Sequence, residues 1–311
     1  MSAPVMAAPL SGGIAGEGAP PTGSSPPRRR RGRLRDVAAM APFCGYTIVF
    51  LIVPAVVVAL GAFQAPSGGL TWSNLTTATS GVYATGIKNS IELSLLTAIV
   101  PAVFGTLIAY AIYVGRPESL LRRAVVTASG VFGQFGGVPL AFLFIASFNP
   151  YGLATSWLAA IGINLSSLGF NLYTFGGVAL VYLYFQIPLM VLIVLPAFGG
   201  LRQTWKEATR NLGGSTWRYW RHVALPALAP TILGCLLVLF GSALSAYATA
   251  DALTSGSIAL SPIQIGSFLN GNVLAGQQNV GKAIGLLMLA LLAVVMLAYS
   301  LLQRKVSRWL R

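Results

Sequence analysis

Residues that could carry out polar chemistry are sparse in this chain. The sequence has 311 residues, of which six are Asp or Glu and one, His222, is histidine. Acid–base catalysis and metal binding both need several such side chains held close together. The composition therefore predicts a protein that is not an enzyme and that has no metal site of its own.

Two of the acids are notable because they fall within or at the end of long apolar runs. These are Glu92 and Asp251. A carboxylate at the centre of a membrane helix costs about 2.5–3.5 kcal/mol on insertion scales. Each acid therefore indicates either a polar path that favours cations or a hydrated position near the outer interface, paired there with Lys88 or Lys282.

One segment nearly matches a phosphate-binding loop. Residues Gly276–Ala283 read GQQNVGKA, which follows the pattern GxxxxGK[ST] up to its last position. Ala283 lacks the hydroxyl that would hold Mg²⁺, and no strand pattern precedes the loop. We interpret the segment as a connection into the last apolar run, and we expect no cofactor in this chain.

Long apolar runs are the elements that would position these residues. The chain is 55% hydrophobic and 8% charged, whereas soluble domains are near 25% charged, so lipid is the expected solvent. A helix of about 20 residues crosses the hydrocarbon core, and a spanning segment must satisfy its own backbone hydrogen bonds. The sequence predicts an all-α integral membrane protein with six transmembrane helices at Ala41–Phe63, Asn89–Val114, Ala124–Phe148, Tyr173–Phe198, Pro226–Ala250 and Gly281–Gln303.

Basic residues predict the orientation of these helices. Residues 1–36 are rich in Ala, Pro, Gly and Ser and end in six arginines, which is typical of a disordered tail. With this tail in the cytoplasm, eighteen of the twenty Lys and Arg residues lie inside, and only Lys88 and Lys282 lie outside. The positive-inside rule therefore predicts that both termini are cytoplasmic. The net charge of +14 indicates topology and not nucleic-acid binding.

Two further stretches have local interpretations. Ser156–Leu165 contains an apolar stretch too short to span, so we expect it to lie at the outer interface or to re-enter the membrane. Gly133 and Gly137 form a GxxxG pattern in the third run. Close helix packing is the plain interpretation of that pattern, and a flexible gate is the alternative.

The loop between the fourth and fifth runs is long and basic. Residues 200–226 read GLRQTWKEATRNLGGSTWRYWRHVALP. Arg202–Leu212 has good helix formers, and Gly213 can end that helix. Ser215 can cap a second helix, and Pro226 can occupy the first turn of the fifth span. By residue type alone, the loop could be an amphipathic linker resting on the lipid surface.

The same loop resembles the EAA loop of binding-protein-dependent ABC importer permeases. That pattern is Glu-Ala-Ala, three residues, Gly, nine residues and Ile-x-Leu-Pro. Here Glu207-Ala208-Thr209 is followed after three residues by Gly213, and after nine more by Val223-Ala224-Leu225-Pro226. Thr209 and Val223 depart from the pattern, while the spacing agrees throughout. With its six spans, the chain looks like a MetI-like permease, closest to the spermidine/putrescine-type branch.

The resemblance implies a six-span permease domain over residues 37–311 that works with several partners. These are ABC ATPase subunits that hold ATP and Mg²⁺, a second permease subunit, an extracytoplasmic substrate-binding protein and the lipid bilayer of a bacterial inner membrane. A heterodimer of permeases is favoured over a homodimer, and a polyamine or another small organic ion is the expected substrate. The implied ATPase-coupling residues are Glu207, Ala208, Thr209, Gly213, Val223, Leu225 and Pro226.

Polar residues inside the spans could line a translocation path. The candidates are Glu92, Tyr182, Gln186, Ser242, Ser245, Tyr247 and Asp251. Helical spacing places Ser242 and Ser245 on one face near Thr249, although the hydroxyls are equally consistent with interhelical hydrogen bonds. The alternative for the whole chain is a self-contained secondary transporter driven by an ion gradient, which inverted repeats would favour.

Overall fold

The structure is a computed structural model that describes residues 40–116, 118–165, 167–271 and 276–309. The predicted tail at residues 1–36 lies outside the described residues. The chain divides into two compact units, Met1–Val53 and Pro54–Arg311. The described part of the first unit is an apolar helix without a buried residue, and it contains a π-helical segment at Ile48–Ile52.

Helices joined by short loops make up the rest of the described chain. The described residues contain no strand, and their one extended pairing is a bridge between Gln64 and Leu70. In chain order the helices are α1 (Val53–Ala62), α2 (Ser73–Ala78), α3 (Gly81–Val114), α4 (Leu120–Gln134), α5 (Gly137–Phe148), α6 (Leu153–Ala160), α7 (Phe175–Gly199), α8 (Gln203–Asn211), α9 (Thr216–Tyr219), α10 (Leu225–Ser245), α11 (Tyr247–Thr254), α12 (Ser261–Leu269) and α13 (Val280–Trp309).

Six helical segments are long and apolar enough to cross a membrane. They are Met40–Ala62, Gly81–Val114, Gly137–Ala160, Phe175–Gly199, Thr216–Ser245 and Val280–Leu301. The prediction of an all-α membrane protein with six spans is therefore confirmed. Residues 157–160 of the short apolar stretch after Ser156 belong to α6 and lie within the third segment, while residues 161–163 lie beyond the end of both. The third segment thus lies later in the chain than the predicted span Ala124–Phe148.

Two of the predicted spans are interrupted. The third, predicted as Ala124–Phe148, is split at residues 135–136, where α4 ends and α5 begins. The fifth, predicted as Pro226–Ala250, is split at Ala246, between α10 and α11. A break leaves backbone N–H and C=O groups without helical partners, so groups elsewhere in the chain must bind them.

Small residues allow the central helices of the second unit to pack closely. α3 packs along α7, while α4 and α10 pack against the same helix. A Cβ added to Gly105 of α3 would lie 2.6 Å from Met190 Cβ, and one added to Gly133 of α4 would lie 3.2 Å from Leu189 Cα. Gly133 therefore allows close packing of α4 against α7, which is the plain interpretation of the GxxxG pattern. Gly137 lies beyond the break at a φ of +76°, a left-handed conformation that glycine adopts readily.

Side chains near the start of α3 hold the loop that leads into α12. Asn89 Nδ2 donates to the Ala259 carbonyl at 3.0 Å, and Ser90 Oγ accepts from the Ser261 N–H at 2.8 Å. Both bonds join positions about 170 residues apart in the sequence. They satisfy backbone groups that the loop itself leaves free.

We expect Gly105→Ala to lower stability by about 1–3 kcal/mol, because overpacking forces neighbouring groups to shift. The added methyl would overlap Met190 and lie 3.1 Å from the Ile187 carbonyl. Gly130→Ala in α4 is the matched control, since a Cβ there meets nothing within 4 Å. The thermal unfolding midpoint of the purified chain in detergent measures both, and equal midpoints would contradict the packing argument.

Candidate functional site

The loop between α7 and α10 forms two short helices separated by a sharp turn. Gly213 follows α8 at a φ of +73°, where a residue with a Cβ would be strained. The Gly214 N–H donates to the Thr209 carbonyl at 2.8 Å, which satisfies a carbonyl of the last turn. Ser215 Oγ accepts from the Arg218 N–H at 3.3 Å and caps α9. The turn and the cap are both as predicted.

The residues predicted to couple to an ATPase lie on both sides of this turn. Glu207 and Ala208 are exposed on α8, and the half-buried Thr209 donates its hydroxyl to the Trp205 carbonyl at 2.8 Å. After the turn, α9 continues through a π-helical segment, Trp220–Ala224, into α10. On that side Val223 is half-buried, Leu225 and Pro226 are exposed, and Pro226 occupies the first turn of α10 as predicted.

An aromatic cluster anchors the loop to the ends of two long helices. Trp220 packs edge-on against Tyr110 of α3, with ring centroids 4.7 Å apart, and lies 6.4 Å from Phe198 of α7. Phe198 also stacks on Tyr113 at 5.7 Å. Such pairs add about 0.5–1.5 kcal/mol beyond the burial of their area. The sequence carried a weak signal for this cluster, because aromatic residues are common at the ends of spans.

The two helix breaks are satisfied by side chains from other helices. α5 and α11 pack against each other, and the Gly137 N–H at the start of α5 donates to Thr249 Oγ1 at 2.9 Å. The Tyr182 hydroxyl of α7 donates to the Ala246 carbonyl at 2.7 Å, and Tyr182 is 1% exposed. Tyr182, which was predicted to line a path, thus binds a backbone carbonyl at the break between α10 and α11.

The remaining polar residues of the fourth and fifth spans have separate environments. Ser245 is exposed and donates to the Gly241 carbonyl at 2.9 Å, whereas Thr249 is buried beyond the break. The half-buried Ser242 lies three residues before Ser245 in α10, and Ser245 Oγ also approaches its carbonyl at 3.2 Å, whereas Thr249 lies in α11. The break at Ala246 changes the direction of the chain between them.

Gln186 is the most unusual of the predicted path residues. Its side chain is fully buried, and neither its amide oxygen nor its amide nitrogen bonds any described residue. A buried amide without a partner costs about 1–3 kcal/mol. An unsatisfied group of this kind calls for a functional explanation.

The two acids predicted to line a path have separate partners. Glu92 pairs with Lys88 on α3 at 3.8 Å, and their side chains are 54% and 73% exposed. Asp251 accepts from the Tyr247 hydroxyl at 3.1 Å. An exposed ion pair on a spanning helix needs water or another protein beside it, because lipid does not solvate charge.

Comparisons with known proteins point to one family. A family model described as "Binding-protein-dependent transport system inner membrane component" matches residues 102–311. The chain is 25% identical over 257 residues to the probable sulfate transport system permease protein cysT of Nephroselmis olivacea, covering 80% of this chain and 85% of that one. It is 27% identical over 279 residues to the spermidine/putrescine transport system permease protein PotB of Haemophilus influenzae, covering 84% and 93%.

A solved structure has the same fold. The chain superposes on a bacterial alginate ABC transporter, solved in complex with an alginate pentasaccharide-bound periplasmic protein, with a TM-score of 0.72 and 18% identity. The match covers 89% of this chain and 96% of that chain.

We expect Tyr182→Phe to lower stability by about 1–3 kcal/mol, because it removes the donor to a half-buried carbonyl at the α10–α11 break. Tyr184→Phe is the matched control, since the Tyr184 hydroxyl lies on the same helix and makes no hydrogen bond to the described residues. Thermal unfolding of the purified chain compares the two variants. Equal midpoints would show that the Tyr182 hydroxyl does not support the break.

Proposed function

The chain belongs to the family of binding-protein-dependent transport system inner membrane components, and on that premise we propose that it is the permease subunit of an ATP-driven importer. The observation that carries the proposal is the exposed helix α8. It bears Glu207 and Ala208 and ends at Gly213, which has a left-handed conformation. An exposed helix that is followed by a glycine turn and sits on an anchored loop is suited to bind a groove on another protein.

Coupling would run from α8 to the long helices. In the proposed complex α8 binds a separate ATPase subunit, and that subunit holds ATP and Mg²⁺. The contacts of Trp220 with Tyr110 and Phe198 support transmission of movement from the loop to the ends of α3 and α7. Closure of the ATPase would then bias the bundle between inward-open and outward-open states.

The proposed importer needs further partners on the opposite face and within the membrane. The charge distribution supports a cytoplasmic position for the α8 loop, so an extracytoplasmic binding protein would deliver substrate at the other end. The exposed Glu92–Lys88 pair supports a second permease subunit, which would enclose a polar path beside α3. Within this proposal a heterodimer is favoured, and the complex lies in a bacterial inner membrane.

We further propose a polyamine as the substrate class. Glu92 lies in the second membrane-crossing segment and Asp251 lies in α11, shortly after the fifth, and anionic groups along a path favour cations. The relative in Haemophilus influenzae is named for spermidine and putrescine. Sulfate, named for the algal relative, is the competing substrate and has the opposite charge.

The coupling role is tested by affinity purification of the tagged chain from its own cells, with co-purifying ATPases identified by mass spectrometry. We expect the double variant Glu207→Ala/Gly213→Val to recover at least about tenfold less ATPase in mild detergent, because truncation of central contact residues costs 2 kcal/mol or more. The valine would also strain the left-handed turn. Glu118→Ala is the control, an equally exposed acid outside the loop. If the wild-type chain purifies alone in several detergents, or if all variants retain the ATPase, the coupling proposal fails.

The substrate class is tested by uptake of radiolabelled spermidine and sulfate in cells that express the whole transporter. We expect spermidine uptake, with a reduction of roughly tenfold or more in Glu92→Gln and Asp251→Asn, since loss of a charge contact costs about 1.5–3 kcal/mol. ATPase recovery should stay normal in both variants, and Glu118→Gln should transport like the wild type. Sulfate uptake without spermidine uptake would replace the polyamine proposal.

A further inference from the structure

A cavity of about 280 Å³ lies between the end of α3, the start of α8 and the α9 segment. Tyr110 and Tyr113 line it from α3, and Tyr219 and Trp220 line it from the loop. This volume is near the lower end for ligand sites in proteins, so the cavity is suited to a small group and not to a large ligand.

The charge of the cavity is positive. Arg202 and Lys206 are among its lining residues, and no acidic residue is. Arg202 also immediately precedes α8, and that end of the helix has no side-chain cap. The free N–H groups of a first helical turn carry partial positive charge and add to the two side chains.

Hydrogen-bond donors in the cavity lack protein partners. Tyr219 is 5% exposed and lines the cavity, yet its hydroxyl bonds none of the residues that the structure describes. Because Tyr219 lines the cavity, its hydroxyl is available to a ligand oxygen. Gln203 and Thr216 supply further polar groups to the same lining.

We propose that this cavity binds a phosphate group. A guanidinium, an ammonium and hydroxyl donors together match the three or four acceptor oxygens of phosphate, and charge-assisted hydrogen bonds are the strong ones. Aromatic and basic side chains at the end of a span are also the groups that meet lipid headgroups. The phosphate therefore comes from an anionic lipid headgroup or from free phosphate, and the ligand would join α3 to the start of α8.

None of the coupling residues Glu207, Ala208 and Gly213 lines the cavity, and the test uses the chain without an ATPase, so its failure is distinct from failure of the coupling proposal. The test is native mass spectrometry of the full-length chain with phosphatidylglycerol, phosphatidylcholine or inorganic phosphate. The cavity variant is Arg202→Gln/Lys206→Gln. Its matched control is Arg218→Gln/Arg221→Gln, which removes the same charge from the same loop at residues that do not line the cavity.

We expect the wild type to retain one phosphatidylglycerol in preference to phosphatidylcholine. The cavity variant should need at least about tenfold more of this lipid, since loss of a direct hydrogen bond to a charged group weakens binding by roughly tenfold or more. The control should bind within about twofold of the wild type. Displacement of the lipid by inorganic phosphate identifies free phosphate as the ligand, and lack of displacement identifies the headgroup; both results support the site.

Three results would overturn the proposal. The first is retention of neither phosphatidylglycerol nor phosphate by the wild type. The second is equal weakening in the cavity variant and its control, which would reflect general charge attraction. The third is unchanged retention by Tyr219→Phe, which keeps every charge and removes only the hydroxyl.

Discussion

The fold depends on the inability of lipid to hydrogen-bond a peptide group. Long helices meet this constraint by themselves, but a broken helix does not. The second unit contains two breaks, and at each a side chain supplies the missing partner: Tyr182 for the Ala246 carbonyl and Thr249 for the Gly137 N–H. These bonds hold α5, α7, α10 and α11 together at one place. The breaks are therefore stabilised only where these helices pack against each other.

The features that the sequence predicted well are those with local causes. Six spans follow from the length of apolar runs, and the turn at Gly213 and the cap at Ser215 follow from backbone chemistry within a few residues. The breaks have distant causes. Tyr182 lies 64 residues from its partner at Ala246, and no pattern within the predicted fifth span marks that position. The predicted fifth span contains Pro230, a residue that often kinks a helix, yet the break falls at an alanine.

In the candidate site, too, the features with local causes were predicted and those with distant causes were not. The residues of the α8 loop were selected by spacing, which a single sequence displays directly. The aromatic contacts that anchor the loop join Trp220 to Tyr110 and Phe198 across three elements, and in the sequence these are ordinary aromatics at span ends. The path residues were selected by polarity alone. Polarity does not distinguish Tyr182, which supports a break, from Gln186, which has no described partner.

Gln186 also bears on how this chain would respond to selection. A buried amide without partners lowers stability, so an apolar residue of similar volume would make the helix bundle more stable. Laboratory evolution for thermal tolerance would then favour Met or Leu at this position, and evolution for growth on the transported solute would retain glutamine if Gln186 contacts that solute. If the two kinds of selection favour different residues at position 186, the protein has given up stability there for activity.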